Sequence, residues 1–515
     1  MTRDELRDLL GDELLSWAAN VPELEAPPAV AGELTPYAQE ALKAIVPHVG
    51  ANRVSPYSIL LGAHINDARE RSGWVRPVVE VDPPTIDSVL QSLAIDAYPL
   101  VLLHRHLAKS TPFFVSFLPI VMQDPRDREL RELVSRDREL SELLTSSMSG
   151  KPGTGPYLSS NTGRSGPVQL QLLGMSILTC AASQMQMRGK SSLDAYLQTV
   201  ASVLAVWRGL ADSREADVDA FIGFRGVGLP AAAANDLGWG TLSAIDDNVI
   251  RVIPLDARPS KVLAADKTHF YDGVVLRTTF RLKVAIVNGL DDLDAQGNAD
   301  SGEQELRRRA NDLALSMLLA AGDLVAPAPV WQAVFDPTGG MPRLSWMHRR
   351  GSPQQSRLLS SDEVRGVRKW FGLIEPAQDS PIDVAKRRVL RSASERMDPE
   401  DGLVDAAIAL ECLFGDTNGE LTLRISSAVA WLLGADVEER RSIQRRVKKL
   451  YRIRSHIVHG QNPKGRETVV AARDEALDFA VRCLRELYGK RSHLILDKER
   501  ATTLLIGGET RRRSV

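Results

Sequence analysis

The chain has 515 residues, of which 43% are hydrophobic and 25% charged, the balance of ordinary globular protein at a length that suggests about three domains. Its 64 Lys and Arg face 66 Asp and Glu, for a net charge of −2; this excludes a global basic field, so any nucleic-acid surface must be local. Cys180, Cys412 and Cys483 are scattered rather than metal-spaced, which argues against a disulfide framework and for a reducing cytoplasm. Met1-Thr-Arg-Asp-Glu-Leu6 is acidic and amphipathic rather than a signal peptide. No apolar run reaches the roughly 18 residues of a spanning helix, so no membrane segment is expected. The fold class expected is multidomain and mainly α, with an α+β middle region and a C-terminal all-α bundle.

Residues 1–150 read as a helical N-terminal region. Leu6, Leu9, Leu10, Leu14 and Leu15 form a first amphipathic helix, and Thr35-Pro36 looks like an N-cap with proline at the first helical position. The charged run from Asp124 to Ser147 carries a thin stripe of Leu130, Leu133, Leu140, Leu143 and Leu144, the pattern of a solvated surface helix or of a partner-binding one. Ser149–Pro167 is rich in Gly, Ser and Pro and reads as a linker or loop. Its Gly-Lys-Pro departs from a phosphate loop, because proline removes a needed backbone donor.

Residues 167–375 read as an α+β middle, the candidate sensor of an unknown trigger. Helices over 167–188 and 192–212 precede β-branched segments at Val249–Ile253, Gly273–Phe280, Leu282–Val287 and Val330–Phe335. Leu344–Met347 is the expected hairpin partner of the last, across Pro337-Thr-Gly-Gly340. A helix spans 302–321. The glycines of Phe224-Arg-Gly-Val-Gly-Leu-Pro230 follow no clear strand and read as turn glycines, so no cofactor is assigned. His348-Arg-Arg350 is a local basic spot. Ser360-Ser-Asp-Glu363 caps a helix with Val364, Val367, Trp370 and Phe371 on one face.

A bundle is expected over 379–490, with helices at 382–397, 401–415, 419–434, 437–460 and 466–489. The tail, 491–515, is expected to be loose. In the fourth helix Ile443, Val447, Leu450, Ile453 and Ile457 make an apolar stripe, and Gly460 ends it. Arg454 falls inside that apolar arc, and a guanidinium there needs a carboxylate, an interface or a phosphate. Glu411 lies in the buried arc of the second helix with Val404, Ala407, Leu410 and Phe414. A Glu411–Arg454 pair can fix the bundle or orient Arg454 towards a cleft; both are compatible. His459 falls on the far side in the row of Ser455 and His456. It reads either as a helix-ending side chain beside a capping glycine or as a general acid or base.

Arg454-Ser-His-Ile-Val-His459 is an R-x-x-x-x-H motif. With Ala409-Leu-Glu-Cys-Leu-Phe414, Leu421-Thr-Leu-Arg-Ile425 and the terminal His459-Gly460 upstream and downstream, the order resembles HEPN ribonuclease domains, most closely the Apea-like branch. The resemblance covers about Asp379–Lys490. It implies a helical bundle, a two-fold dimer that joins two motifs in one cleft, and an anti-phage endoribonuclease with Arg454 and His459 as catalytic residues. Glu411, Ser455, His456 and Arg424 would support them. Ser455 departs from the Asn, Asp or His frequent at its position. An arrangement in which a nucleotidyltransferase modifies the domain needs a tyrosine two places after the histidine, where Gln461 stands.

RNA carries its own nucleophile, the 2′-OH. Cleavage then needs a base for that proton, an acid for the 5′-oxygen and a cation at the phosphoryl group, roles that His459 and Arg454 fit. Arg445, Lys448, Lys449 and Arg452 are the candidate RNA-binding side chains. His456 and His459 have no evident third ligand nearby, so no metal is assigned. An i, i+5 pair diverges by about 140° on a helix of 3.6 residues per turn. The two groups therefore meet only if the helix end unwinds or if two subunits contribute. The alternative function is a non-catalytic module that binds RNA or nucleotide as a scaffold or signalling partner.

Overall fold

The computed structural model describes residues 1–21, 33–49, 59–79, 81–107, 124–144, 156–166, 170–190, 192–230, 235–246, 249–250, 253, 258–263, 269–288, 301–339, 343–346, 356–376, 380–415, 420–460 and 465–506. The fold is mainly helical with an α+β middle. The N-terminal helices are α1 (Arg3–Leu10), α2 (Asp12–Ala18), α3 (Pro36–Val49), α4 (Ile59–Arg71), α5 (Ile86–Leu107), α6 (Pro125–Arg136) and α7 (Arg138–Leu144). The expected first helix is split by Gly11, at φ +84°, where a Cβ would also stand 2.6 Å from the His106 ring. Thr35 caps α3 as expected, its hydroxyl accepting from the Ala38 N–H at 3.2 Å.

Helix α5 is long and apolar enough to cross a membrane by composition, with a mean hydropathy of 1.4 over Ile86–Leu103, but 83% of that window is buried inside the structure. Its Tyr98 meets Trp17 edge-on at 4.7 Å between ring centroids, and the Trp17 indole N–H donates to Asn66 at 2.9 Å. The charged run after Asp124 is two helices, because Asp137 ends α6 and caps α7. One face of each is buried through Leu130, Val134, Leu140, Leu143 and Leu144, so the run packs rather than lying free.

The middle comprises β1 (Pro156–Ser160), β2 (Ser165–Gly166), α8 (Leu173–Met187), α9 (Leu193–Ser213), β3 (Glu215–Arg225), β4 (Val227–Gly228), β5 (Asn235–Asp236), β6 (Gly240–Ala244), β7 (Lys261–Leu263), β8 (His269–Tyr271), β9 (Val274–Asn288), α10 (Ser301–Ala320), β10 (Ala328–Val334), β11 (Arg343–Trp346) and β12 (Arg357–Leu358). The main sheet runs β11-β10-β3-β9-β1-β2, antiparallel throughout, and β6 shares the β9 edge with β1. The two strands expected at 273–280 and 282–287 are this single β9. Leu276, Thr278, Phe280, Leu282 and Val284 are buried while Arg277, Thr279, Arg281 and Lys283 are exposed, and that alternation passes through Arg281 unbroken.

Three sequence expectations for this region are corrected. Pro156–Gly166 is not a linker: it forms the β1–β2 hairpin on β9, held by Ser160 and Thr162 hydroxyls that donate to buried Asp336 at 3.0 and 2.9 Å. Val249 and Ile250 open a helical turn rather than a strand, because the Asp246 carboxylate accepts from the Val249 N–H at 2.8 Å. Glu215–Arg225, unassigned from the sequence, is the central β3. The β10–β11 hairpin forms as expected. His348–Arg350 and the first part of the expected linker, 149–155, lie outside the described residues.

Ser360 and Glu363 make the expected capping box at the start of α11 (Ser361–Ile374). The bundle follows as α12 (Asp383–Leu390, extended by a π turn to Glu395), α13 (Pro399–Phe414), α14 (Leu421–Leu433), α15 (Val437–Val458) and α16 (Arg466–Lys490). The start of the tail is not loose: α17 (Arg500–Ile506) packs on α14 and α13. Helix α10 lies between sheet and bundle. Arg485 of α16 donates to the carbonyls of Leu319 at 2.9 Å and of Ala321 at its C-terminal end. Buried Lys386 of α12 reaches its Asp312 at 3.2 Å.

Candidate functional site

Helix α15 is built for its ends. The Asp436 side chain caps the N-terminus by accepting from the Glu439 N–H at 2.8 Å, and Glu438 and Glu439 complement the positive end of the dipole. Ile443, Val447, Leu450 and Tyr451 are buried against the bundle, with Ile453 and Ile457 half-buried beyond them.

Two rungs join α15 to α13. The Tyr451 hydroxyl donates to the Ala407 carbonyl at 3.2 Å. One turn further along both helices, the Arg454 Nη2 stands 3.5 Å from the Glu411 Oε1. The helices therefore run in the same direction here. Tyr451 escaped the sequence reading, because one aromatic in an apolar stripe carries no signal of a polar contact. Burial pushes the Tyr451 phenol well up. Burial also raises the Glu411 carboxyl, and Arg454 pulls it back down. At 3.5 Å the Arg454–Glu411 contact is an ion pair rather than a tight hydrogen bond. The Arg454 Nε is buried with no hydrogen-bond partner among the described residues. The pair thus leaves donor capacity unused.

His459 is the C-cap residue of α15 and is exposed, as is His456; Ser455 is half-buried. The His459 N–H still donates to the Ser455 carbonyl at 3.1 Å, and the backbone turns left-handed only at Gly460, φ +67°. The helix therefore does not unwind between Arg454 and His459, and their divergence of about 140° stands.

The basic residues sort by partner. Arg441 pairs with Glu438 and Arg446 with Glu475, while Arg440 lies 3.9 Å over the Trp431 ring. Lys448, Lys449 and Arg452 make no side-chain hydrogen bond or ion pair among the described residues, and Arg445 bonds only the Arg441 carbonyl, at 3.3 Å. Positions 445, 448, 449, 452, 455, 456 and 459 follow i, i+3, i+4, i+7 spacing and continue it for two more turns. They occupy one stripe of about 120°, so the unpaired cations lead along the helix to His456 and His459. Arg454 is on the opposite side.

Arg424 is not part of this constellation. Its guanidinium donates to Thr502 of α17 at 2.6 Å, a docking contact. No group of three or more His, Cys, Asp or Glu suited to a metal ion occurs among the described residues. Comparison with family models, with curated proteins and with solved structures gives no match to this chain.

Proposed function

We propose that this chain is a metal-independent endoribonuclease of the HEPN class, resembling the Apea-like branch and acting in the cytoplasm in anti-phage defence. The observation that carries the reading is the stripe of cations without carboxylate partners, Arg445, Lys448, Lys449 and Arg452, leading along α15 to exposed His459. A phosphate backbone laid on that stripe brings a ribose to a group able to move a proton near neutral pH. The 2′-OH attacks the adjacent phosphorus as His459 takes its proton. The P–O5′ bond breaks, and the protonated His459 of the partner subunit in the composite site donates its proton to the leaving oxygen, giving 2′,3′-cyclic phosphate and 5′-hydroxyl ends. Arg454 neutralises the charge that develops on the phosphoryl oxygens.

Arg454 and His459 face apart within one chain, so the proposed site is composite: a homodimer through the bundle brings two motifs together. Residues 1–375 would respond to the trigger. The test is total RNA incubated with wild type, Arg454→Ala and His459→Ala in EDTA. Wild type should cleave and both variants should lose at least about a hundredfold of the rate. His459→Ala, at an exposed helix end, should melt like wild type, whereas Arg454→Ala should stay folded but melt lower because it leaves Glu411 unpaired. Cleavage by His459→Ala at the wild-type rate, or 5′-phosphate ends made only with Mg²⁺, would sink the reading.

The second reading, a non-catalytic module, draws on the Arg454–Glu411 ion pair, which gives Arg454 a structural task. It predicts RNA binding without cleavage by any of the three proteins.

A further inference from the structure

The middle region holds a cleft that plays no part in the chemistry above. Its volume is about 620 Å³, within the range of small-molecule sites. The floor is two neighbouring cross-strand rows: Phe221 beside Arg277 beside Thr241, and Val275 beside Ser243. The end of α8, from Met187 to Gly189, makes one wall, and the β7–β8 hairpin makes the roof.

The roof is fixed in place by backbone-level contacts. Phe270 of β8 lies so close over Gly228 that a Cβ there would stand 2.2 Å from the ring. The Asp272 carboxylate accepts from the N–H of Gly226 at 2.8 Å, and Gly226 holds φ +86°. The space between floor and roof is thus a property of the fold rather than of loose packing.

Its lining combines two chemistries. Half-buried Phe270 and Tyr271 offer aromatic surface, with Lys261 5.0 Å over the Tyr271 ring and buried Phe221 beneath. Arg188, Arg277 and Lys261 supply three cations against one lining carboxylate, Asp246, with Asp219 outside the lining but paired to both arginines. Both arginines converge on Asp219. Arg188 donates to it through both Nε, at 2.8 Å, and Nη2, whereas Arg277 stands 3.7 Å away. One carboxylate cannot occupy the donors of two guanidiniums, which carry about five N–H groups each. The remaining donors of Arg277, an exposed side chain, face the cleft with the hydroxyls of Thr241 and Ser243 beside them.

We infer that this cleft binds a free nucleoside phosphate, with the base in the aromatic slot and the phosphate on Arg277 and Arg188. Guanidiniums recognise phosphate oxygens in pairs, and an aromatic slot accepts any base through its π face. The site lies in the α+β middle, far in sequence from α15, and is therefore suited to an effector.

The test is calorimetric titration of the full chain with each of the four ribonucleoside triphosphates, in parallel with adenosine, tripolyphosphate and a 5′-phosphorylated oligoribonucleotide. At least one triphosphate should bind, and more tightly than adenosine or tripolyphosphate. Arg277→Ala should weaken it by at least about tenfold. Arg281→Ala, on the same sheet face but paired with Glu215 and Asp217, should leave it unchanged. The inference is overturned if no triphosphate binds at millimolar concentration, if Arg277→Ala binds like wild type, if tripolyphosphate alone accounts for the affinity, or if only the oligoribonucleotide binds. The readout is binding, so it is independent of whether the chain cuts RNA.

Discussion

Asp127 is buried in the first turn of α6, and neither of its carboxylate oxygens accepts a hydrogen bond among the described residues. An ion pair with Arg131 at 3.1 Å is its compensation. Burial outweighs that pair, with Asp124 adding repulsion, and the carboxyl is pushed up to about 6. A carboxyl raised on folding favours the protonated form. Its contribution to stability is complete below the ordinary carboxylate range and is lost as pH rises through 6. Ionised Asp127 therefore works against folding at neutral pH. Asp127→Asn, which keeps the shape and removes the charge, should be more stable than wild type at pH 7.5 by on the order of 2 kcal/mol. That advantage should shrink as pH falls from 7 towards 4. Thermal melts of the two proteins across this range check it, and a difference flat in pH would show that Asp127 is not the titrating group. Glu411 is the milder case of the same conflict: burial raises it, but the Arg454 guanidinium across the helix contact opposes the shift.

At the scale of elements, α17 completes the bundle chiefly through Arg500, beside the Arg424–Thr502 bond and buried Leu504. Arg500 is buried and donates to the carbonyls of Leu413 at 2.8 Å, Leu494 at 3.0 Å and Ile495 at 3.1 Å. The first of these is an orphan acceptor in the last turn of α13, where a cation also suits the helix dipole. Arg500→Ala should destabilise the chain by about 3 kcal/mol, and Arg500→Lys should recover only part, since a point charge cannot span the carbonyls. Urea unfolding measures this; a loss under about 1 kcal/mol would mean that water replaces the guanidinium. None of this was legible in the tail, because a lone arginine names no acceptor and the one that ties it to the bundle, Leu413, stands far upstream on α13. The bundle helices were legible because their periods are strong, and Arg454 because a charge in an apolar arc is conspicuous. Strand β3 was hidden: Glu215-Ala-Asp-Val-Asp-Ala220 lacks strand-favouring bulk, and its pairing with β9 decides its state. β1 was hidden by its Gly-, Ser- and Pro-rich surroundings. The row from Arg445 to His459 was present in the sequence as spacing, but which of its cations lacked partners depended on Glu438, Glu475 and Trp431, and Glu475 stands on another helix.

For the whole molecule, the divergence of Arg454 and His459 makes the proposed activity a property of an assembly. Specific activity should fall several-fold as the protein is diluted through the dimer dissociation range, in step with sedimentation data. Constant activity per chain where the protein sediments as a monomer would remove the composite site. The position of α10 bears on how such an assembly can be dissected. Arg485 and Lys386 leave the bundle to find their acceptors on α10, and Gly489 lies 3.4 Å, measured from an added Cβ, from the Trp370 ring of α11. A fragment cut at residue 380 would carry a stranded guanidinium, an ammonium left with Asp383 alone at 2.7 Å, and bare apolar surface. A piece that keeps these partners must reach back to α10, near residue 301: the unit that holds the contacts is longer than the unit that carries the motif.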